Sequence, residues 1–234
     1  MTHSLHRSGS PENLSGDFVV LTMAGKGINE TDCQKALGRF LEIADKCSSV
    51  VLGDMRQGCS PDKSLADLLA GLSHTSIVHT LFKDQDTLKA FLQELAREDL
   101  GLSVTVSGLL EPLEQLSREI GLPDSPHTVA YSLGVRGKLE LLPDMRIREI
   151  TTMCGHGLVS PALVSNVIDE LVIGASSPEN AAQKLAGPCL CGIFNPCRAA
   201  SLLEAILAQR SVTATEADGC PVPDPVQGCF SAGS

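Results

Sequence analysis

Short apolar runs rich in β-branched residues alternate with longer stretches of helical periodicity through the first 142 residues, and few folds accept that rhythm. Residues 17–23 (Asp-Phe-Val-Val-Leu-Thr-Met) predict a buried strand ended by the turn Ala24-Gly25-Lys26-Gly27. Residues 31–47 place Ala36, Leu37, Phe40, Leu41 and Ala44 on one helical face. A second strand is expected at 49–53, with a loop to Cys59. Ser60-Pro61 then supplies a cap and a first-turn proline for a helix through Leu72.

Strands at 76–82 and 102–107 alternate with helices at 84–97 and 109–120, and 128–135 with 138–142 read as a hairpin around Gly134 and Gly137. The expectation is an α/β domain with a largely parallel (or ferredoxin-like) sheet. From Met145 the pattern turns helical, with starts at Ser160-Pro161, Ser177-Pro178 and Asn195-Pro196. The division is therefore an arm (1–16), a sheet domain (17–144), a helical part (145–210) and a disordered tail (211–234) rich in Ser, Thr, Gly and Pro.

Hydrophobic residues make up 43% of the 234 positions but aromatics only 3%, so the core is aliphatic. Scarce rings and a net charge of −10 without any basic run argue against a nucleic-acid partner, which needs stacking platforms and clustered Lys and Arg. No run reaches the ~18 apolar residues of a spanning helix, and residues 1–15 lack the apolar stretch of a signal peptide. A soluble, cytoplasmic protein is expected, not a membrane one. Nine cysteines of irregular spacing are odd in number and poorly suited to a disulfide framework.

Three of them crowd the run Cys189-Leu-Cys191-Gly-Ile-Phe-Asn-Pro-Cys197, and a fourth stands in Met153-Cys154-Gly155-His156-Gly157. Both runs are Gly-rich loops that open into helices, where free backbone N–H groups stabilise thiolates. Two or three thiolates with an imidazole suit zinc, and three or four thiolates suit an iron–sulfur cluster. Cys154, Cys189 and Cys191 are the candidate metal ligands, completed by His156 or by Cys197, the second residue of its helix. The spacing Cys-x-Cys-x5-Cys matches neither common zinc-finger nor ferredoxin patterns. Alternatively, Cys154 is a nucleophile with His156 as its base. Cys59 also stands before a predicted helix start and is a further candidate for this site.

In a parallel sheet the strand ends would gather small-ligand loops at Gly25-Lys26-Gly27, Gly53-Asp54, Ser107-Gly108 and Ser132-Leu133-Gly134. Gly25 and Gly27 only faintly suggest a nucleotide loop, since the third glycine is missing. Asp54 is the candidate proton-transfer group. Cys33, Cys47, Cys220 and Cys229 read as packing or incidental residues, His3 and His6 as exposed, and His74, His79 and His127 as flanking strands.

The first reading is thus a cytoplasmic enzyme acting on a small polar metabolite through a cysteine-ligated zinc or iron–sulfur site. The second is a non-enzymatic small-molecule- or nucleotide-binding module, a homo-oligomer paired through an open strand edge.

Overall fold

A computed structural model describes residues 4–122, 126 and 128–217. His3, His127, Cys220 and Cys229, and the tail from 218 onward, lie outside the described residues.

A single helical turn, α1 (Pro11–Leu14), precedes β1 (Phe18–Met23), α2 (Cys33–Lys46), β2 (Val51–Asp54) and β3 (Gly58–Cys59). Then come α3 (Leu65–Ala70), β4 (Ile77–Phe82), α4 (Gln85–Glu98), β5 (Ser103–Ser107) and α5 (Leu110–Glu119). A 3₁₀ turn (Leu139–Leu141) leads into α6 (Met145–Thr151), α7 (Pro161–Val172), α8 (Pro178–Ala186) and α9 (Pro196–Ala217).

The five strands form one sheet in the order β3-β2-β4-β1-β5, and every pairing is antiparallel. This corrects the expected α/β fold with a largely parallel (or ferredoxin-like) sheet to a mixed α/β fold on an antiparallel sheet. The reason is where α2 sets the chain down. β1 and β2 run in the same direction, but β4 enters between them and pairs antiparallel with both. The strand ends consequently divide between two edges of the sheet. Met23 and Asp54 end beside Ile77 and Val78, whereas Ser107 ends at the opposite edge beside Val19.

Period-two alternation builds three layers from these strands. Phe18, Val20, Leu52, Val78 and Phe82 face α2, α3, α4 and α5 in one core. There the Phe91 ring centroid lies 5.0 Å from that of Phe82, tilted, and 5.1 Å from that of Phe40, edge to face. Val19, Val51 and Leu81 face the other way, into a second core filled by the helices after residue 145.

The three Ser/Asn-Pro starts are where the sequence places them. Ser160 and Ser177 accept hydrogen bonds from the N–H groups of Leu163 and Asn180, and Asn195 Oδ1 accepts one from Arg198 N–H at 3.1 Å. Two expected elements fail. Ser60-Pro61 does not start a helix, because Ser60 N–H bonds to Leu52 O at 2.8 Å and so serves the sheet. α3 begins instead behind Ser64, whose hydroxyl and Asp67 form a reciprocal capping box. The hairpin at 128–142 does not form either. That segment finds no strand to bond, and Tyr131, Leu133, Val135 and Leu141 stay exposed. α9 runs on to Ala217, into the segment expected to be a disordered tail (211–234).

Candidate thiol and imidazole site

The loops after α6 and α8 are both shaped to bring sulfur atoms inward. Cys154 N–H closes onto Thr151 O (3.2 Å), and Gly157, at φ +69°, returns its N–H to Cys154 O (3.0 Å). In the second loop Cys189 N–H bonds Ala186 O and Gly192 N–H bonds Cys189 O, each at 2.9 Å. Gly192 takes φ +74°, the left-handed conformation that only glycine adopts without strain.

The two loops meet. The side chains of Cys154 and Cys189 lie close enough to influence each other's ionisation. Cys189 Sγ lies 3.8 Å from Cys191 Sγ, and Cys191 Sγ lies 3.6 Å from His156 Nδ1. All three sulfurs are buried within the second core, whereas His156 is exposed.

The Cys189 pKa is pushed up by its sulfur neighbours Cys154 and Cys191 and by burial. Its two neighbours are correspondingly acidic, both brought down to about 5. At Cys154 the Cys189 side chain contributes most; burial opposes it, and the N–H groups of Leu158, His156 and Val159 assist. At Cys191 the same neighbour again leads against burial, helped by Ile193 N–H and the His156 imidazole. The cluster thus gathers three sulfurs inside an apolar core, with Cys154 and Cys191 shifted toward the thiolate and Cys189 toward the thiol.

The sheet contributes two further donors. Cys59, Gly53 and His79 stand side by side across β3, β2 and β4, on the face that Val51 and Leu81 share. Gly53 has no side chain to separate its neighbours, and the His79 ring occupies the space. A Cβ at Gly53 would lie 2.3 Å from His79 Cε1, 2.6 Å from Nε2 and 2.9 Å from Cys59 Cβ. Gly192 closes the other side. A Cβ there would lie 2.7 Å from Cys59 Sγ and 3.0 Å from His79 Nε2.

His79 is fully buried, and neither ring nitrogen makes a hydrogen bond of good geometry, although the Gly192 and Ile77 backbones lie near the ring. Burial drives its pKa down to about 4, against weaker opposing contributions from the Gly192 backbone and Asp54, so the ring is neutral. Sequence reasoning admitted Cys59 to the site but took His79 only as a residue beside a strand. Its position rests on a glycine directly opposite, which only the strand register reveals.

The remaining candidates go elsewhere. Cys197 does hold the second position of α9, but its side chain is exposed to water, away from the buried sulfurs. Asp54 points to the opposite face of the sheet. Its carboxylate accepts from Ser76 Oγ (2.6 Å), Gln57 Nε2 (2.9 Å) and Arg56 N–H (3.0 Å). Burial raises its pKa, but those hydrogen bonds outweigh it and leave the group below its ordinary value. Asp54 therefore clamps the turn after β2.

Gly25 and Gly27 belong to a loop on the far flank of the sheet. Gly25 N–H bonds Asn29 Oδ1 at 2.7 Å, and Asn29 ties the loop to Gly101 O at 2.6 Å. Cys33 packs inside the α2 core and Cys47 beside it. His74 is exposed, and His6 Nδ1 approaches Ser132 Oγ at 3.5 Å.

A buried ion cluster anchors the second loop from behind. Asp17 binds Arg7, Arg198 Nη1 (2.9 Å) and Asn195 Nδ2 (3.0 Å), and Arg7 also donates to Ile193 O. The side chains of Arg7, Asp17 and Arg198 are at most 5% exposed. The two described cavities lie elsewhere, one beside Asp144 and Arg210, the other between Phe40, Leu95 and Val104.

Among the described residues, no group of three or more His, Cys, Asp or Glu side chains is placed where it could hold a metal ion. No helix there is long and apolar enough to cross a membrane. The chain matches no protein-family model, no curated protein and no solved structure.

Proposed function

We propose that this chain is a metalloprotein in which Cys154, Cys189, Cys191 and His156 hold one zinc-class ion. The observation that carries the reading is the chain of separations along these side chains. Tetrahedral sulfurs about 2.3 Å from a zinc ion stand about 3.8 Å from each other, and about 3.6 Å from an imidazole nitrogen on the same ion. Those are the Cys189–Cys191 and Cys191–His156 distances, 3.8 and 3.6 Å. An iron–sulfur cluster, several atoms across, holds its thiolates farther apart, so a single ion fits better. Rotation of the side chains about χ1 draws the donors to a common centre as the ion takes the place of the shared proton.

The exposure of His156 favours a catalytic use of this centre. The three sulfurs are buried, and the one imidazole on the solvent side is the donor that a small polar metabolite would displace. The vacated position is the open coordination site that zinc catalysis needs. The metal would then act as a Lewis acid. Asp54 has no part in it, lying across the sheet.

The test is elemental analysis of full-length protein purified without oxygen. At least one zinc-class ion per chain is expected, lost on Cys189→Ala or Cys191→Ala, with thiolate-to-cobalt charge-transfer absorption after cobalt substitution. Metal-free protein whose stability ignores both chelators and those substitutions overturns the reading. A brown protein with two or more irons per chain replaces the single ion by a cluster.

A further inference from the structure

Residues 128–135 carry the alternation of a strand without its bonds. Val129, Tyr131, Leu133 and Val135 fall to one side, and Thr128, Ala130, Ser132 and Gly134 to the other. The four apolar side chains are 43–76% exposed. Among the described residues, the backbone of this segment makes no hydrogen bond to other backbone. A row of large apolar side chains held in water marks a contact surface.

The sheet has an edge of matching character. β5 is its last strand and pairs with β1 alone, so its other edge is open. Leu102, Val104 and Val106 turn toward the first core. Beside the edge, Leu102 and Val104 join Phe40, Leu92, Leu95 and Leu122 in lining an apolar cavity of about 310 Å³, with exposed Asp99 on its rim. Ser103, Thr105 and Ser107 form the opposite, hydroxyl-bearing face of the strand.

We propose that residues 128–135 of a second copy of this chain bind this edge as a sixth strand antiparallel to β5, reciprocally, in a two-fold dimer. One register satisfies both faces. Val135, Leu133 and Tyr131 stand opposite Leu102, Val104 and Val106 over the cavity, while Gly134, Ser132 and Ala130 meet Ser103, Thr105 and Ser107. Gly134, at φ +74°, passes to extended values without a side-chain penalty. Arg136 then lies beside Gly101, within reach of Asp99. Both are exposed, and neither is in an ion pair among the described residues.

The same chain does not offer its own segment in this direction. Leu122 lines the cavity with Leu102, so the chain leaves α5 at the Leu102 end of β5. Ser132 Oγ is 3.5 Å from His6 Nδ1, and Ser4 Oγ is 2.6 Å from Ser107 Oγ at the other end. Within one copy the segment therefore runs the same way as β5 and stays unpaired. The cavity belongs to the core on the far side of the sheet from Cys154, Cys189 and Cys191, so the dimer stands or falls apart from the metal reading.

Tyr131 is the one tyrosine of a chain without tryptophan, and its fluorescence reports this contact directly. The experiment is sedimentation of the full chain in reductant, from low to high micromolar concentration, with acrylamide quenching of Tyr131 measured alongside. Two chains per particle are expected at the high end and one at the low end, with quenching several-fold weaker in the dimer. Leu133→Lys and Val135→Lys each replace an exposed side chain, so both should fold, remain single chains and leave Tyr131 freely quenched throughout. Arg136→Glu should weaken association several-fold, and Asp99→Lys added to it should restore most of the loss.

A single chain at every concentration with Tyr131 exposed overturns the proposal. Tyr131 shielded in a single chain does so too, since the segment would then close on its own β5. A dimer that both lysine variants leave intact places the contact elsewhere and overturns it equally, and a charge swap without recovery overturns the antiparallel register.

Discussion

Gly53→Ala tests the central geometry with one methyl group. The new carbon would sit 2.3 and 2.6 Å from His79 ring atoms and 2.9 Å from Cys59 Cβ, distances that real side chains do not occupy. The ring has nowhere to go. It is fully buried, and Gly192 lies against its other side. The strands must shift, and overpacking of this kind costs about 3 kcal/mol. Two of the three collisions belong to His79, so the same change in a His79→Ala background should cost only about 1 kcal/mol, a coupling of about 2 kcal/mol between sites that face each other across β2 and β4. Urea unfolding of the chelated full chain, with all four members of the cycle compared at equal slope, measures this directly. A Gly53→Ala cost within about 0.5 kcal/mol of zero, or an equal cost in both backgrounds, would show that the ring does not lie over Gly53.

Other consequences follow from single contacts. Asp17→Asn leaves the buried Arg7 and Arg198 guanidiniums without their counter-charge and should lower stability by about 3–5 kcal/mol in denaturant titrations. In the unmodified protein the Asp17 pKa, raised by burial but more strongly lowered by Arg7 and Arg198, lies below its ordinary 3.8. Its contribution is therefore complete above about pH 4 and disappears as pH falls through the lower folded value, an acid limb that Asp17→Asn should lack. Asp54→Asn should cost about 1–3 kcal/mol, since Arg56 N–H and Ser76 Oγ lose a carboxylate acceptor, yet leave metal content unchanged. Maleimide labelling of native protein, read by peptide mass, should modify exposed Cys197 long before Cys154, Cys189 or Cys191.

Local signals were legible before any coordinates. A Ser or Asn followed by Pro stops and starts a helix by its own hydrogen bond and fixed φ, so the starts of α7, α8 and α9 could be read residue by residue. The meeting of the Cys154 and Cys189 loops was also inferable, since each loop is Gly-rich and poised before a helix. Strand direction was not. The runs at 17–23 and 76–82 look the same whether β4 lies parallel or antiparallel to β1, because alternation records burial and not orientation. The 128–142 segment shows the same limit, since a strand needs a partner and none is supplied. Cys197 misled because a helix start favours thiolate wherever it points, and here it points to water. His79 could not be found from its neighbours in sequence, because its setting is made by Gly53 and Gly192, 26 and 113 positions away.

The Arg7–Asp17–Arg198 cluster also orders events in time. Its contacts join residues up to 186 positions apart, and its hold on Ile193 O steadies the turn that carries Cys191. During synthesis Arg7 and Asp17 emerge long before Arg198 and must wait, charged and unpaired, for α9. Neither the sulfur-bearing turn nor anything it captures can settle until Arg198 has been made and has reached Asp17. Any ligand of that turn therefore meets a chain already extended past Arg198.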